Sequence, residues 1–415
     1  MSGPVLVLNS GSSSIKYQLV EPATGGRLAS GAVERIGEDR TEVTHRVGDA
    51  TEHRTLPPTT HEEAFSTIVT LFDEAGASIA SAGIVGVGHR VVMGGREFSA
   101  PVVVDDQVCA AIDALSPLAP LHNPSNLAGI RVARRLLPDV AHVAVFDTAF
   151  FHDLPEAAST YAIDRDVAAA HGIRRYGFHG TSHRYVSGRV AEVLGRPLAE
   201  LRQVVLHLGN GASASAIDGG RPVDTSMGMT PLEGLVMGTR SGDLDPAVVL
   251  HLHRQVGMPI DEVDALLNRR SGLRGLAGDN DLREVHRRIA AGDRRAALAL
   301  DVYVHRLRKY VGAYAAVLGG LDALTFTAGV GEHDPVVRAR TAERLGFLGV
   351  HVDAARNEGT GERVISPDGA PVAVLVVPTD EELAIARDTV SVLAAPGEHR
   401  TASAGPRRIR MSGAP

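Results

Sequence analysis

The chain has 415 residues, 44% of them apolar and 22% charged, and a net charge of −7 from 42 basic and 49 acidic side chains. That length supplies two ordinary domain cores, and the acidic balance offers no general basic field for nucleic acid. The single cysteine, Cys109, cannot form an internal disulfide, no apolar run reaches the roughly 20 residues a bilayer requires, and no leader pattern opens the chain, so a cytoplasmic protein with no membrane or nucleic-acid partner is expected.

Residues 5–20, VLVLNSGSSSIKYQLV, read as a hairpin whose second strand carries Lys16, one of only two lysines with Lys309. Hairpins and loops follow to about residue 60. HEEAFSTIVTLFDEAG then has helical spacing closed by Gly76. IVGVGHRVVMGG is a strand, LSPLAPLHNPSNLAGIRVARRLLP a proline-rich loop feeding a helix, and HVAVFDTAF a buried strand ending at Asp147. A second unit begins near residue 150. RYGFHGTSHRYVSGRVAEVLG predicts a loop and a helix capped by Thr181 or Ser182.

VVLHLGNGAS, residues 204–213, repeats the opening design: an apolar strand ending abruptly in small, Gly-containing residues. Such a turn bares backbone N–H groups and suits phosphate. A strand (SASAI), a polar turn and the long loop TSMGMTPLEGLVMGTRSGDLDP come next, the loop being a functional surface rather than a linker. A long amphipathic helix covers 295–318, ended by Gly319 and Gly320. LDALTFTAGVGEH gives a third strand-then-Gly turn, and VAVLVVPTDEELAIARDTVSVLAA a strand and a helix.

Alternating strands and helices imply α/β layers, and the repeated design implies two duplicated domains flanking a nucleotide cleft. The expected domains are 1–149, completed by the C-terminal helix at about 382–395, and 150–381, with a disordered tail from 396 to 415. No GxxxxGK[ST] motif occurs, so no Walker-type site is expected and the Gly turns must hold phosphate by another geometry. Phosphoryl transfer is the chemistry these turns point to.

Three Gly-rich turns after three strands resemble the nucleotide clamp of the actin-like (ribonuclease H-like) ATPase fold. NSGSSSIKYQL, GFHGTSHRYV, HLGNGASASAI, DTSMGMTPLEGLVMGTRSGDLDP and GVGEH together resemble the acetate kinase family, over about residues 4–395. The resemblance implies reversible transfer of the ATP γ-phosphoryl group to acetate, giving acetyl phosphate and ADP, with Mg²⁺ (Mn²⁺ substituting) in a homodimer. It assigns Arg240 and His179 to transition-state stabilisation, Arg90 to the substrate carboxylate, and His122 to its vicinity. It makes Val92, Leu121, Phe178 and Pro231 a small box for the methyl group. Ser12, Ser14 and Lys16, and His207, Leu208, Gly209, Asn210 and Gly211, serve the phosphates. Asp281, Leu282, Arg283, Gly329, Val330, Gly331, Glu332 and His333 serve adenosine, and Asn9 and Glu381 the metal.

A carboxylate is ionised at neutral pH and needs no general base to attack phosphorus; it needs cations and oriented donors on the phosphoryl oxygens. Arg90, Arg240, His179 and Mg²⁺ supply these. Read alone, Arg240 would pair with the nearby Asp243. The family makes Asp147 a proton acceptor; the ionised acceptor argues instead for a carboxylate that orients an arginine or a metal-bound water. Three positions depart from the family pattern: Met93 beside the acyl pocket, His333 in the adenosine segment, and Asp380 beside Glu381. A propionate or butyrate kinase of the same fold, and a non-catalytic nucleotide-dependent interaction protein, are the alternatives.

Overall fold

The computed structural model describes residues 3–75 and 82–395. The tail from residue 396 and the helix-ending Gly76 lie outside the described residues. The chain divides into two compact units, one of residues 1–149 together with Glu382 onward, the other Phe150–Glu381.

In the first unit, strands β1 (Val5–Ser10), β2 (Ser14–Glu21), β3 (Gly26–Glu34), β4 (Thr41–Val47), β5 (Ala50–Leu56), β6 (Gly86–Val91), β7 (Val102–Val103) and β8 (His142–Phe146) form one sheet in the order β5-β4-β3-β2-β1-β6-β8-β7. β1 runs antiparallel to β2, with Asn9 opposite Lys16, and parallel to β6. Alternation sorts the side chains. Leu6, Leu8, Ile15 and Tyr17 join Phe65 and Phe72 of helix His61–Glu74 and Val132 and Ala133 of helix Asn123–Leu136 in one core. The other face meets helix Glu381–Ala394. A Cβ on Gly86 would lie 2.8 Å from Leu393, and one on Gly88 2.6 Å from Thr389, so glycine lets that helix lie against the sheet.

In the second unit, β9 (Arg202–Leu208), β10 (Ala212–Asp218), β11 (Arg221–Thr225), β12 (Ala323–Thr327), β13 (Arg363–Val364) and β14 (Ala373–Val376) are ordered β11-β10-β9-β12-β14-β13. β9 is antiparallel to β10 and parallel to β12, which is parallel to β14. The run β3-β2-β1-β6-β8 thus recurs as β11-β10-β9-β12-β14 with the same strand senses. The expected duplication is a duplication of topology. Val186 and Val190 of helix Gly180–Leu194 pack with Val205, Ile217 and Leu375 in the core of this unit.

Two local expectations are corrected. Helix Gly180–Leu194 starts before Thr181 and Ser182; its N-cap position is His179, in the left-handed region at φ 59° with no side-chain cap bond. The Ser182 hydroxyl is instead spent on His207. The segment AGVGEH is a short helix, Ala328–His333, rather than a turn. Arg338, 1% exposed, donates to the carbonyls of Gly331 and Glu332, both at 2.9 Å, and so satisfies the end of that helix.

Candidate active site

In the first unit, parallel pairing of β6 and β8 sets Arg90 beside the end of the strand that delivers Asp147. Asp147, 2% exposed, accepts two bonds from Arg90, from Nε at 3.0 Å and Nη2 at 2.7 Å. This fork fixes the guanidinium plane. The Arg90 side chain keeps 20% exposure, so the ion pair has one accessible member. The backbone just beyond is held from helix Asn123–Leu136. Asn126 accepts from Val92 N at 3.1 Å, and Asn123 accepts from Met93 N and donates to Met93 O, both at 3.0 Å. Asn126 also donates to Ser10 O at 2.7 Å, tying this segment to the first Gly turn. Met93 is wholly buried. Val92 and His122 are half-buried, and Leu121 is exposed.

The NSGSSS turn closes through Gly11 N to Ser14 O at 2.7 Å. Ser12 and Lys16 are exposed, Ser14 half-buried. Asn9 is half-buried and cross-strand to Lys16. The two asparagines, 123 and 126, are residues that sequence reasoning missed. Their signal was present in HNPSN, as polar residues on an otherwise apolar helix face.

In the second unit, His179, His207 and Arg240 converge on the second Gly turn. The rings of His179 and His207 stack with centroids 4.2 Å apart at 21°. His179 Nδ1 lies 2.9 Å from Ser213 Oγ, and His207 Nδ1 2.8 Å from Ser182 Oγ. A Cβ on Gly211 would sit 3.3 Å from Arg240 Nη1 and 3.6 Å from His179 Nε2, so both groups flank the turn. Gly209 N donates to Gly211 O at 3.0 Å, and Gly238 N to Asn210 O at 2.9 Å. Behind these lies a residue not foreseen, His183, wholly buried and four positions after His179 in the first turn of the helix that His179 precedes. The i, i+4 pair of histidines was its signal.

Arg240 donates to Pro231 O at 3.1 Å and contacts Met237 Sδ at 3.7 Å. Burial lowers its pKa from the usual arginine value. The Arg240–Asp243 pairing of the isolated reading does not form. Asp243 accepts from Gly234 N at 2.8 Å and Tyr310 OH at 2.9 Å and pairs with Arg306 at 3.2 Å, bracing the loop from within. Arg175 adds to this bracing: it donates to the carbonyls of Thr225, Ser226 and Met227 and pairs with Glu233 at 2.6 Å. Phe178 is buried beside His179, and Pro231 is half-buried. Of the four residues of the proposed methyl box, Val92 and Leu121 belong to the first unit, and Phe178 and Pro231 to the second.

A cavity of about 700 Å³ opens from the turn at Gly209 and Asn210, lined by Asp281, Leu282 and Arg283 on one side and Gly329, Val330 and His333 on another. Three segments named from sequence therefore meet in one place. Asn280, His286, Tyr303, Asp334 and Val336 also line it and were not foreseen. Asp281 caps helix Leu282–Ala290 and pairs with Arg283 at 2.6 Å. Leu208 is buried at the end of β9, and Gly331 packs on Phe326 instead of facing the cavity. Glu332 accepts from Thr379 N at 3.3 Å.

Among the described residues no three His, Cys, Asp or Glu side chains cluster as a metal cage. Asn9 belongs to the first unit; Glu381 is the last residue of the second and begins helix Glu381–Ala394. Each is an oxygen donor of the kind a hard divalent cation takes. No helix among the described residues is long and apolar enough to cross a membrane.

A family model described as the acetokinase family matches residues 4–387. An acetate kinase from Leifsonia xyli subsp. xyli is 58% identical over 393 residues, covering 94% of this chain and 99% of that protein. One from Clavibacter sepedonicus is 58% identical over 389 residues, covering 93% and 98%. Among solved structures, Porphyromonas gingivalis acetate kinase is 44% identical with a TM-score of 0.89, over 94% of this chain and 100% of that one. A propionate kinase from Francisella tularensis is 39% identical with a TM-score of 0.90 at the same coverage. The duplicated topology is thus the actin-like fold of these kinases, and the chain belongs to the acetokinase family.

Proposed function

We propose that this protein is an acetate kinase, transferring the γ-phosphoryl group of ATP to acetate, reversibly, by direct in-line attack of the carboxylate. The observation that carries the reading is the convergence of Arg240 and His179 on Gly211, in the unit whose 700 Å³ cavity opens from the same turn. The cavity takes the nucleoside, and the turns at 11–14 and 209–211 take phosphates. Arg240 places a partly desolvated cation beside the transferring group, where charge develops. Arg90 holds the acetate carboxylate, and Asp147 orients Arg90. A carboxylate already accepting two arginine bonds is a poor proton acceptor, and an ionised acetate has no proton to give. Mg²⁺, held by Asn9 and Glu381 directly or through water, would neutralise phosphate charge when bound.

A second reading, propionate kinase, is favoured by the Francisella relative. One methylene is worth only roughly 1–3 kcal/mol in an apolar pocket, so the methyl box can turn on small shifts. We further propose a homodimer through the second unit. Helix Ala247–Arg254 buries none of its residues, and Val248, Leu250, Val256 and Ile260 are 42–59% exposed.

The test is acyl-phosphate formation, trapped as hydroxamate, from MgATP with acetate, propionate and butyrate in parallel. Highest turnover on acetate supports the first reading, and preference for a longer acid the second. No product from any acid, with ATP bound, refutes both and returns the non-catalytic alternative.

A further inference from the structure

Three histidines near the second Gly turn, His179, His183 and His207, bond to buried hydroxyls that have few protons to distribute, His179 and His183 sharing Ser213. His183 Nε2 lies 2.7 Å from Ser213 Oγ, and its Nδ1 2.7 Å from Ser215 Oγ. Ser213 Oγ also lies 2.9 Å from His179 Nδ1. His183, Ser213 and Ser215 are all wholly buried. Burial, and then the neighbouring His207, hold the His183 pKa well below the ordinary value, so the ring is neutral with one N–H.

Each of the three contacts needs one proton. If Ser215 donates to His183 Nδ1, then His183 Nε2–H donates to Ser213, and Ser213 donates to His179 Nδ1. A neutral His179 then carries its proton on Nε2. Reversing every donor leaves Nε2 of His179 with a lone pair. A third arrangement, in which Ser213 accepts from both rings, strands a buried hydroxyl proton without an acceptor. Nε2 is the His179 nitrogen on the side of the Gly turn, 3.6 Å from where a Cβ on Gly211 would sit. A lone pair there would face an anion; an N–H would bind it.

His207 repeats the pattern. Its Nδ1 lies 2.8 Å from Ser182 Oγ, which lies 2.8 Å from Thr379 Oγ1, and its Nε2 is 3.9 Å from a Cβ built on Gly209. With the two rings 4.2 Å apart, charging both would set like charges together, whereas two neutral Nε2–H groups side by side make a matched pair of donors.

We propose that Ser215 and His183 are positioning residues which, through Ser213, hold His179 as its Nε2–H tautomer, so that it offers a phosphoryl oxygen a hydrogen bond without carrying charge. The proposal rests on the phosphoryl-transfer reading for its use, but the tautomer is measurable without turnover. The full chain labelled with ¹⁵N-histidine is examined by imidazole NMR, alone and with MgADP, with the His179 signals identified by their loss in His179→Gln.

The expected result is a neutral His179 protonated on Nε2. In Ser215→Ala the population shifts toward Nδ1–H, and kcat falls roughly tenfold or more, the scale on which outer partners of functional imidazoles act, with the KM for ATP within about twofold. A wild-type His179 that is cationic or protonated on Nδ1 overturns the proposal, even where Ser215→Ala does not fold. So does Ser215→Ala with unchanged tautomer and turnover. Failure of the wild type to form acyl phosphate overturns the kinase reading instead, and the tautomer still decides the relay.

Discussion

Replacing Asp147 by Asn separates an orienting carboxylate from a proton acceptor. The amide keeps the shape and one acceptor but removes the charge, and it turns an NH₂ toward a guanidinium that needs an oxygen at 3.0 Å or 2.7 Å. Breaking a buried ion pair costs about 3–5 kcal/mol. The 20% exposure of Arg90 lets water recover part of this, so about 3 kcal/mol is the working figure. At 1.4 kcal/mol per decade this is an equilibrium factor of about 100, and as stability it is about 6–12 °C in the midpoint of a unit this size. Steady-state kinetics with acetate and ATP varied separately should show the acetate KM raised tenfold or more, the ATP KM within threefold, and no lost ionisation in the pH profile of kcat/KM. Calorimetry should show the first unit melting earlier. A variant with normal acetate KM and normal melting, but a kcat reduced beyond 10⁴-fold and a missing ionisation, would refute the orienting role.

Arg240→Ala should lower kcat by about 10³-fold or more while ADP affinity by calorimetry changes little; near-normal turnover would remove Arg240 from the mechanism. Gly211→Ala places a methyl 3.3 Å from Arg240 Nη1, so the guanidinium must shift by a fraction of an ångström; turnover should drop by less than the roughly 10²-fold that a 1 Å misplacement costs, with an unaltered melting curve, and unchanged turnover would separate Arg240 from this turn. His89 and His142, 2.9 Å apart and buried in the first unit, are both held below the ordinary value of 6.5 by burial, His142 at about 4. The unfolded chain therefore binds more protons than the folded one, and stability is lost as pH falls from 6.5 toward about 4, by up to about 1.4 kcal/mol per pH unit and ring. Urea unfolding across that range should be less steep in pH for a His89→Phe, His142→Leu double variant than for the wild type; equal slopes would refute the assignment. Leu250→Glu should yield monomers by light scattering if helix Ala247–Arg254 lies in a subunit interface, and an unchanged mass would place the interface elsewhere.

What could be read from sequence was whatever a short window determines. Strands β1, β9 and β12 show as apolar runs cut off by glycine, because a buried strand and a phosphate turn both leave local marks. The site residues that escaped are those whose meaning depends on distant partners. Asn126 matters because it reaches Ser10, 116 positions away, and His183 because Ser213 and Ser215 lie on the facing strand, 30 and 32 positions on. The misplaced helix start has the same origin. The bend before His179 needs Gly177 at φ 75°, packed where a Cβ would be 2.6 Å from Phe151 and 2.7 Å from Thr225, a constraint no local propensity carries. AGVGEH reads as a turn by its glycines; it is a helix whose terminal carbonyls are taken by Arg338 of the next helix, a nearby arginine whose burial its sequence neighbours do not reveal.

The helix Glu381–Ala394 has a consequence for the order in which this protein is made. It covers the glycine-bearing face of a sheet whose other strands end at residue 146, yet it is synthesised after the whole of the second unit. At about 5–20 residues per second, translation of the intervening stretch takes on the order of 10–50 s. Through that interval the face around Gly86 and Gly88 lacks its covering layer, while Phe150–Glu381 emerges as one continuous segment able to complete its own sheet. The unit that is begun first is therefore the later one to be completed, because its sheet waits for a layer encoded after the whole of the second unit.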